Sequence, residues 1–305
     1  MIICTHSGCF QADDVMAAAI LRSLYPGAQL IRSRKPEDWH RATIVFDVGE
    51  KYDKTKYFDH HQKGGAGERK NGVPYAAVGL IWRHYGRGFC ERYADDLLGW
   101  RDLFHYIDYH LIQALDAHDC GQLEGEFHVR SSGRSLSVAT LSSLISKFNP
   151  VVGLEPQEES DYFAAFERAL SVAMAFLQRT VRDCQGKAYA KSVVRAVDQG
   201  EPLLELPEGC DWTHVVCHEM PHVKFVIYPN PTGQYMIRTV PQVGQRFSAR
   251  VDLPAAWAGL SGADFQALTG VPDAIFCHNG GFVAGAQSLA GVRALGGLAL
   301  ASLNR

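Results

Sequence analysis

Four short stretches carry side chains that packing alone does not explain. Asp59-His60-His61-Gln62 closes the apolar pair Tyr57-Phe58, and Thr5-His6-Ser7-Gly8 is followed by Gln11, Asp13 and Asp14. Asp47 ends the run Thr43-Ile44-Val45-Phe46, and Asp116, His118 and Asp119 crowd a fourth stretch. Imidazole beside carboxylate suits Mn²⁺, Zn²⁺ or Fe²⁺. A surface pair would account for His60-His61, and a helix cap for one of Asp13 and Asp14. Neither accounts for His6 and Gly8 in the same turn as the two aspartates. A lone aspartate ending a strand is commonly a turn former, yet Asp47 falls between two other clusters. The ionisable groups at 116, 118 and 119 need water, mutual pairing or a metal.

These stretches recur where strands give way to turns. Residues 1–4, 28–31, 43–46 and 56–58 read as short buried strands, and the segment opened by Asp13-Asp14 as a helix ending near Pro26-Gly27. Residues 74–85 predict a helix with Pro74 near its first turn. Such alternation argues a parallel sheet flanked by helices, and open sheets of this kind place ligands beyond the carboxyl ends of their strands. Residues 91–148 read as mainly helical, and residues 158–198 as one long helix. After Gly200 the character turns β-rich, with strands expected over 213–217, 223–228 and 235–240. Near the end a strand runs into His278 and Gly280-Gly281, where backbone amides could approach an anion; a plain tight turn is the alternative. The division expected is a catalytic domain over 1–157, a connecting helix over 158–199 and a C-terminal substrate-binding domain over 200–305.

The chain has 305 residues, 47% hydrophobic and 21% charged, as a globular protein of two domains would have. No apolar run suffices to span a membrane and no secretory signal is visible, so the cytoplasm is the default compartment. The eight cysteines contain no Cys-x-x-Cys pair, so neither a zinc ribbon nor a thioredoxin-type site is expected. With a net charge of −3, nucleic-acid binding would need a local basic patch. Candidates are Lys63, Arg69 and Lys70, and further on Arg179, Arg182, Lys187 and Lys191; a solvated surface is the plainer reading of both runs.

In order along the chain, Thr5 to Gly8 with Asp13-Asp14, Asp47-Val48-Gly49, Asp59-His60-His61-Gln62, Pro74-Tyr75 with Gly79-Leu80-Ile81-Trp82, and Leu115-Asp116-Ala117 with Asp119 resemble the DHH phosphoesterase superfamily. With Arg250, Leu253-Pro254, Trp257 and the segment from Phe276 to Phe282, the chain is similar more narrowly to the melanocyte-proliferating-gene family of metal-dependent hydrolases and exonucleases. The resemblance runs over nearly the whole chain; the ordered set is specific where Asp-His-His alone is not. It implies an α/β fold: an N-terminal parallel-sheet DHH-type domain, a connecting helix and a smaller C-terminal α/β substrate domain. It also implies phosphoester hydrolysis with a pair of Mn²⁺ or Mg²⁺ ions. By position Asp47 would bridge the two, with His6 on one ion and Asp13, His60 and Asp119 on the other. Asp116 is the competitor of Asp119 for that place. His61 would contact substrate phosphate and Asp59 would orient the His pair. His278, Gly280, Gly281 and Arg250 would hold substrate. Gln11 stands where the family has a His. As a weaker donor it implies one tight and one weaker ion.

A cation pair bridged by carboxylate activates water and offsets phosphoryl charge without a nucleophilic side chain. The leading expectation is a phosphodiesterase or exonuclease acting on RNA, DNA or short oligonucleotides, including single-stranded nucleic acid. One alternative is a small-molecule, pyrophosphatase-like phosphohydrolase, whose pocket would be crowded with Lys and Arg. The other is a degenerate metal- or nucleotide-binding module, suggested by Gln11.

Overall fold

The N-terminal apolar run forms β1 (Ile2–Thr5), and the alternation that follows gives α1 (Ala12–Leu24), β2 (Gln29–Arg32), α2 (Pro36–Arg41), β3 (Ile44–Phe46) and β4 (Tyr57–Phe58). These strands make one wholly parallel sheet in the order β2-β1-β3-β4. The computed structural model of the chain describes residues 1–123, 126–128 and 135–303. Two compact units divide it, Met1–Cys184 and Gln185–Arg305.

In the first unit α1 is buried along nearly its whole length. An Ala-rich segment without interior Gly or Pro forms a helix readily, and one apolar on all sides must be covered on all sides. It packs against α3 (Ala77–Glu91). Next come α4 (Trp100–Ile107), a π-helical turn over Asp108–Ile112, and α5 (Gln113–Asp119). The antiparallel pair β5 (Glu126–His128) and β6 (Ser135–Ser137) follows, then α6 (Leu141–Ser146). The expectation of helix across 91–148 thus meets a strand pair, and at 124–125 and 129–134 it lies outside the described residues. The long helix α7 (Glu159–Val197) crosses the division between the units.

The second unit contains β7 (Leu203–Glu205), α8 (Thr213–Glu219), β8 (Phe225–Pro229), β9 (Tyr235–Thr239), β10 (Pro241–Gln242) and β11 (Gln245–Ala249). A 3₁₀ turn at Ala255–Trp257 leads to α9 (Gly262–Thr269), β12 (Ala274–Cys277), β13 (Val283–Ala286) and α10 (Leu289–Ser302). Its main sheet is mixed, in the order β12-β13-β9-β8-β7, with β7 and β8 parallel. Alternation along β8 divides its neighbours. Phe225 and Ile227 join a core with Trp257, Phe265 and Leu295, while Val226 faces Leu204, Trp212 and Val216. Residues 213–217, expected as a strand, are instead the start of α8. Their β-branched composition favours a strand, but burying Val215 and Val216 in this second cluster outweighs that preference. Among the described residues no helix is long and apolar enough to cross a membrane.

Candidate metal centre

In the order β2-β1-β3-β4 the chain leaves the central strands β1 and β3 toward opposite sides. Open parallel sheets bind ligands at this reversal, beyond the strand carboxyl ends. His6 follows β1, Asp47 follows β3, and Asp59, His60 and His61 follow β4. Asp47 sits at φ +54°, a left-handed conformation that aspartate tolerates better than most residues.

Asp47 uses its two oxygens on different histidines. Oδ2 lies 3.3 Å from His6 Nε2 and Oδ1 lies 3.5 Å from His60 Nε2. His60 Nε2 is also 3.1 Å from Asp119 Oδ2. The ligand atoms of His6, Asp14 and Asp47 fall within 4.8 Å of one another, as do those of Asp13, His60 and Asp119. The structure therefore brings together His6, Asp13, Asp47, His60 and Asp119, and adds Asp14. A helix continuing after Asp13 would be expected to carry Asp14 away from the site. Instead Asp14 Oδ2 stands 3.3 Å from His6 Nε2, while its Oδ1 accepts from the Gln11 N–H at 2.9 Å. Gln11 is exposed at the cavity edge.

Asp59 lies behind the pair of histidines. Its Oδ1 accepts from the backbone N–H of His60 at 2.8 Å and of His61 at 3.2 Å, and stands 2.7 Å from His61 Nδ1. Its Oδ2 accepts from the Glu50 N–H. The bond to Asp59 raises the His61 pKa, against a smaller opposing effect of burial.

Asp116 takes no part in the cluster, although it lies one helical turn before Asp119. Its carboxylate accepts from Arg69 Nη1 at 2.5 Å and from the N–H groups of Ala76 and Gly79 at 3.0 Å each. Asp13 accepts from the N–H groups of Ala77 and Val78 at 3.1 and 2.7 Å. Two carboxylates distant in sequence thus cap α3, whose own N-cap residue is Ala76. This moves the helix start from 74 to 77, and it fixes Asp13 from behind. At Gly79 an added Cβ would meet Asp116 Oδ2 at 2.1 Å, so only glycine fits. Arg69, expected in a basic surface patch, is buried between Asp108 and Asp116.

The substrate residues expected in the second unit are largely engaged elsewhere. The Arg250 guanidinium donates to the carbonyls of Val216, Cys217, Met220 and Val223, which makes it a structural clasp. The Gly280 N–H donates to His278 Nδ1 at 3.0 Å and the Gly281 N–H to His278 O at 2.9 Å, so neither amide is free to meet an anion. His278 itself is exposed in the turn between β12 and β13.

The donor set fits divalent cations. Asp13 is 2% exposed, Asp14 0% and Asp47 8%. Burying so many carboxylates in one place is costly unless a positive charge compensates. Asp14 Oδ2, Asp47 Oδ1 and His60 Nε2 are buried and make no hydrogen bond, and all three lie in the cluster. His6 Nδ1 lies 3.2 Å from Ser7 O; donating there leaves Nε2 as the coordinating nitrogen.

Without metal, protons must take the place of the cations. Burial disfavours the His6 imidazolium, but Asp14 and Asp47 outweigh it and push its pKa up to about 10. Burial, then Asp47 and Asp119, raise Asp13 well above the usual carboxyl range. A histidine with a folded pKa near 10 and an ordinary value of 6.5 stabilises the fold fully below pH 6.5 and loses that effect as pH rises toward 10. The raised acid acts with the same sign. The metal-free protein should therefore melt at falling temperature from pH 6.5 to 10, while Mn²⁺ affinity rises as competing protons leave. Calorimetry in buffers of different ionisation enthalpy should show proton release on Mn²⁺ binding at pH 7; none would contradict this electrostatic picture.

Sequence reading missed Arg34 and Trp39, which border the same cavity of about 680 Å³. Their signal was positional, since both lie just beyond the carboxyl end of β2, the strand beside β1. Arg34 Nη2 lies 3.3 Å from His6 Nδ1.

Sheet, reversal and buried Asp/His cluster together define an α/β protein with a candidate centre for two cations. The chain belongs to the MYG1 family: residues 2–300 match the family model MYG1_exonuc, described as Uncharacterised protein family (UPF0160). It is 31% identical to the MYG1 protein YER156C of Saccharomyces cerevisiae over 98% of this chain and 95% of that one. It is 30% identical to the MYG1 exonuclease of Homo sapiens over 97% of this chain and 85% of that one. Among solved structures, a pGpG-specific phosphodiesterase, PggH from Vibrio cholrae, aligns over 99% of this chain and 98% of that one, at 14% identity and a TM-score of 0.32. That likeness is too distant to bear on fold or function.

Proposed function

We propose that the protein is a divalent-metal-dependent phosphodiesterase of the exonuclease kind, acting on RNA, DNA or short oligonucleotides. The observation that carries this reading is the group of buried acceptors without hydrogen bonds, Asp14 Oδ2, Asp47 Oδ1 and His60 Nε2, at the carboxyl ends of a parallel sheet. The exonuclease names of mammalian relatives support it. In the proposed arrangement Asp47 would be shared by two Mn²⁺ or Mg²⁺ ions. His6 and Asp14 would hold one, and Asp13, His60 and Asp119 the other. Bound there, the cations would acidify water and neutralise phosphoryl charge.

The side chains supply the rest. Asp59, fixed by three backbone N–H groups, accepts from His61 Nδ1–H and so orients the ring; the same bond favours the protonated imidazolium, whose Nε2–H would donate to a phosphate oxygen. The α3 amides hold both Asp13 oxygens, so the carboxylate cannot rotate away from His60.

The cavity favours a diester over pyrophosphate. Among the described residues that line it, Arg34 is the only arginine or lysine, whereas a pyrophosphate site would gather several. Hydrolysis of a generic phosphodiester, pyrophosphate, and single-stranded RNA and DNA, each with Mn²⁺ and with chelator, tests the reading. Metal-dependent release from at least one diester is expected. Turnover unchanged after proven metal removal, or pyrophosphate as the sole substrate, would overturn it.

The two ions should differ in affinity. Gln11 stays exposed and Asp14 takes the place beside His6, so the ion on His6 has fewer strong donors than its partner. Titration with Mn²⁺ should show one tight and one weaker step. Gln11→His should tighten the weaker step and Asp14→Asn weaken it further, each leaving the tight step in place. Equal steps in the unmodified protein would count against the assignment.

A further inference from the structure

We infer that Trp39 and Arg34 form a nucleotide subsite beside the metal centre, the indole stacking on a base and the guanidinium holding its phosphate. The inference rests on the phosphodiesterase reading and adds to it the side chains that would hold the nucleotide at the scissile end.

The cavity lining is mixed in kind. It includes the polar His6, Asp47 and Asp119 and also Trp39, Val48 and Gly49, of which Trp39 packs against Val48 and stands beside Gly49. Trp39 stands on α2, half-buried, and packs against the cluster of Cys4, Ala42, Val45 and Val48. Its one polar group is engaged, because Nε1–H donates to Ser33 O at 3.0 Å. That bond fixes the ring, so what the indole offers the cavity is aromatic surface. Gly49 keeps the space next to it open. An added Cβ would stand 3.8 Å from the indole and 3.3 Å from the Tyr57 ring, at a φ of +101° that side chains rarely adopt.

Arg34 is exposed within the same cavity. Nε donates to Ser7 O at 3.3 Å, which aims the guanidinium across the mouth of the site near His6. It pairs with no carboxylate among the described residues, despite the acids lining the same space. Arg32, two residues earlier, is a contrast: buried, it donates to the carbonyls of Gly8 and Tyr162 and packs over Phe10 and Phe166. A partly free guanidinium beside a cation site suits a phosphate that bridges the two, and a fixed aromatic ring at the same cavity suits any base, since every base has a π-face.

The test compares AMP with ribose 5-phosphate, measured by calorimetry on the full-length protein loaded with Mn²⁺. AMP should bind tighter by about tenfold or more, as base stacking on an aromatic side chain provides. Trp39→Ala should abolish that difference and leave ribose 5-phosphate and Mn²⁺ affinity unchanged. Trp39→Phe, which keeps an aromatic ring and guards against loss of packing, should retain most of it. Arg34→Ala should weaken both ligands alike. Equal affinities in the unmodified protein, or a base preference that survives Trp39→Ala, overturns the inference while the phosphodiesterase reading stands. Failure of AMP, ribose 5-phosphate and inorganic phosphate all to bind the Mn²⁺-loaded protein would overturn both.

Discussion

Asp47→Asn should lower the rate of Mn²⁺-dependent hydrolysis by on the order of 10³-fold or more, with the fold intact. Each carboxylate oxygen faces a different histidine, Oδ2 toward His6 and Oδ1 toward His60. An amide keeps one acceptor and turns the other into an N–H donor, so it can face only one cation properly. Lewis-acid stabilisation of the reacting phosphoryl group amounts to several kcal/mol, and about 1.4 kcal/mol corresponds to a decade in rate. Asparagine also tolerates the φ of +54° at this position, so circular dichroism and thermal melting of the metal-free variant should remain cooperative. The variant should lose high-affinity Mn²⁺ along with rate. Near-normal turnover at modest Mn²⁺ would show that Asp47 does not bridge.

The largest effect on stability is expected at Arg69, whose carboxylate partners are Asp108 and Asp116 and not the proposed metal ligands. Its side chain is 9% exposed, and the Asp116 side chain it meets is 0% exposed. Removing one partner of a buried pair leaves an uncompensated charge and costs about 3–5 kcal/mol. Arg69→Met should therefore lower the melting temperature by roughly 10 °C, at about 2–4 °C per kcal/mol for a unit of this size. Activity should fall as well, because Asp116 and Asp13 together cap α3 and a loosened helix start no longer fixes Asp13. Asp116→Asn in the Arg69→Met background should recover part of the stability by removing the stranded charge. A shift below about 1 kcal/mol in the single variant would place Arg69 back on the surface, where its sequence neighbours Lys63 and Lys70 suggest a basic patch.

The site was legible where chemistry and strand ends coincide in sequence. His6, Asp47 and His60 each follow a short apolar run, and parallel strands carried them to one edge. What sequence left open was orientation. Asp13 and Asp14 are adjacent, and helix periodicity suggests that only one can face the site. The turn at Gln11 instead lets Asp14 reach His6 while Asp13 reaches the amides of α3. Asp116 and Asp119 are the same residue type one turn apart, and the choice between them depends on Arg69 and on Gly79, which pairing over some forty residues determines. The amides of Gly280 and Gly281 turned inward because His278 offered nearer acceptors, its ring Nδ1 to Gly280 and its backbone carbonyl to Gly281. In the second unit, residues 213–217 became helical because two valines found a sheet face to cover.

The central claim is that the Asp/His cluster is a two-cation centre bridged by Asp47. Anomalous diffraction at the manganese edge, from crystals grown with saturating Mn²⁺, addresses it most directly. The account predicts two manganese peaks, both coordinated by Asp47, one shared with His6 and Asp14 and the other with Asp13, His60 and Asp119. The absence of manganese from this cluster, or a lone peak that Asp47 does not touch, would contradict it.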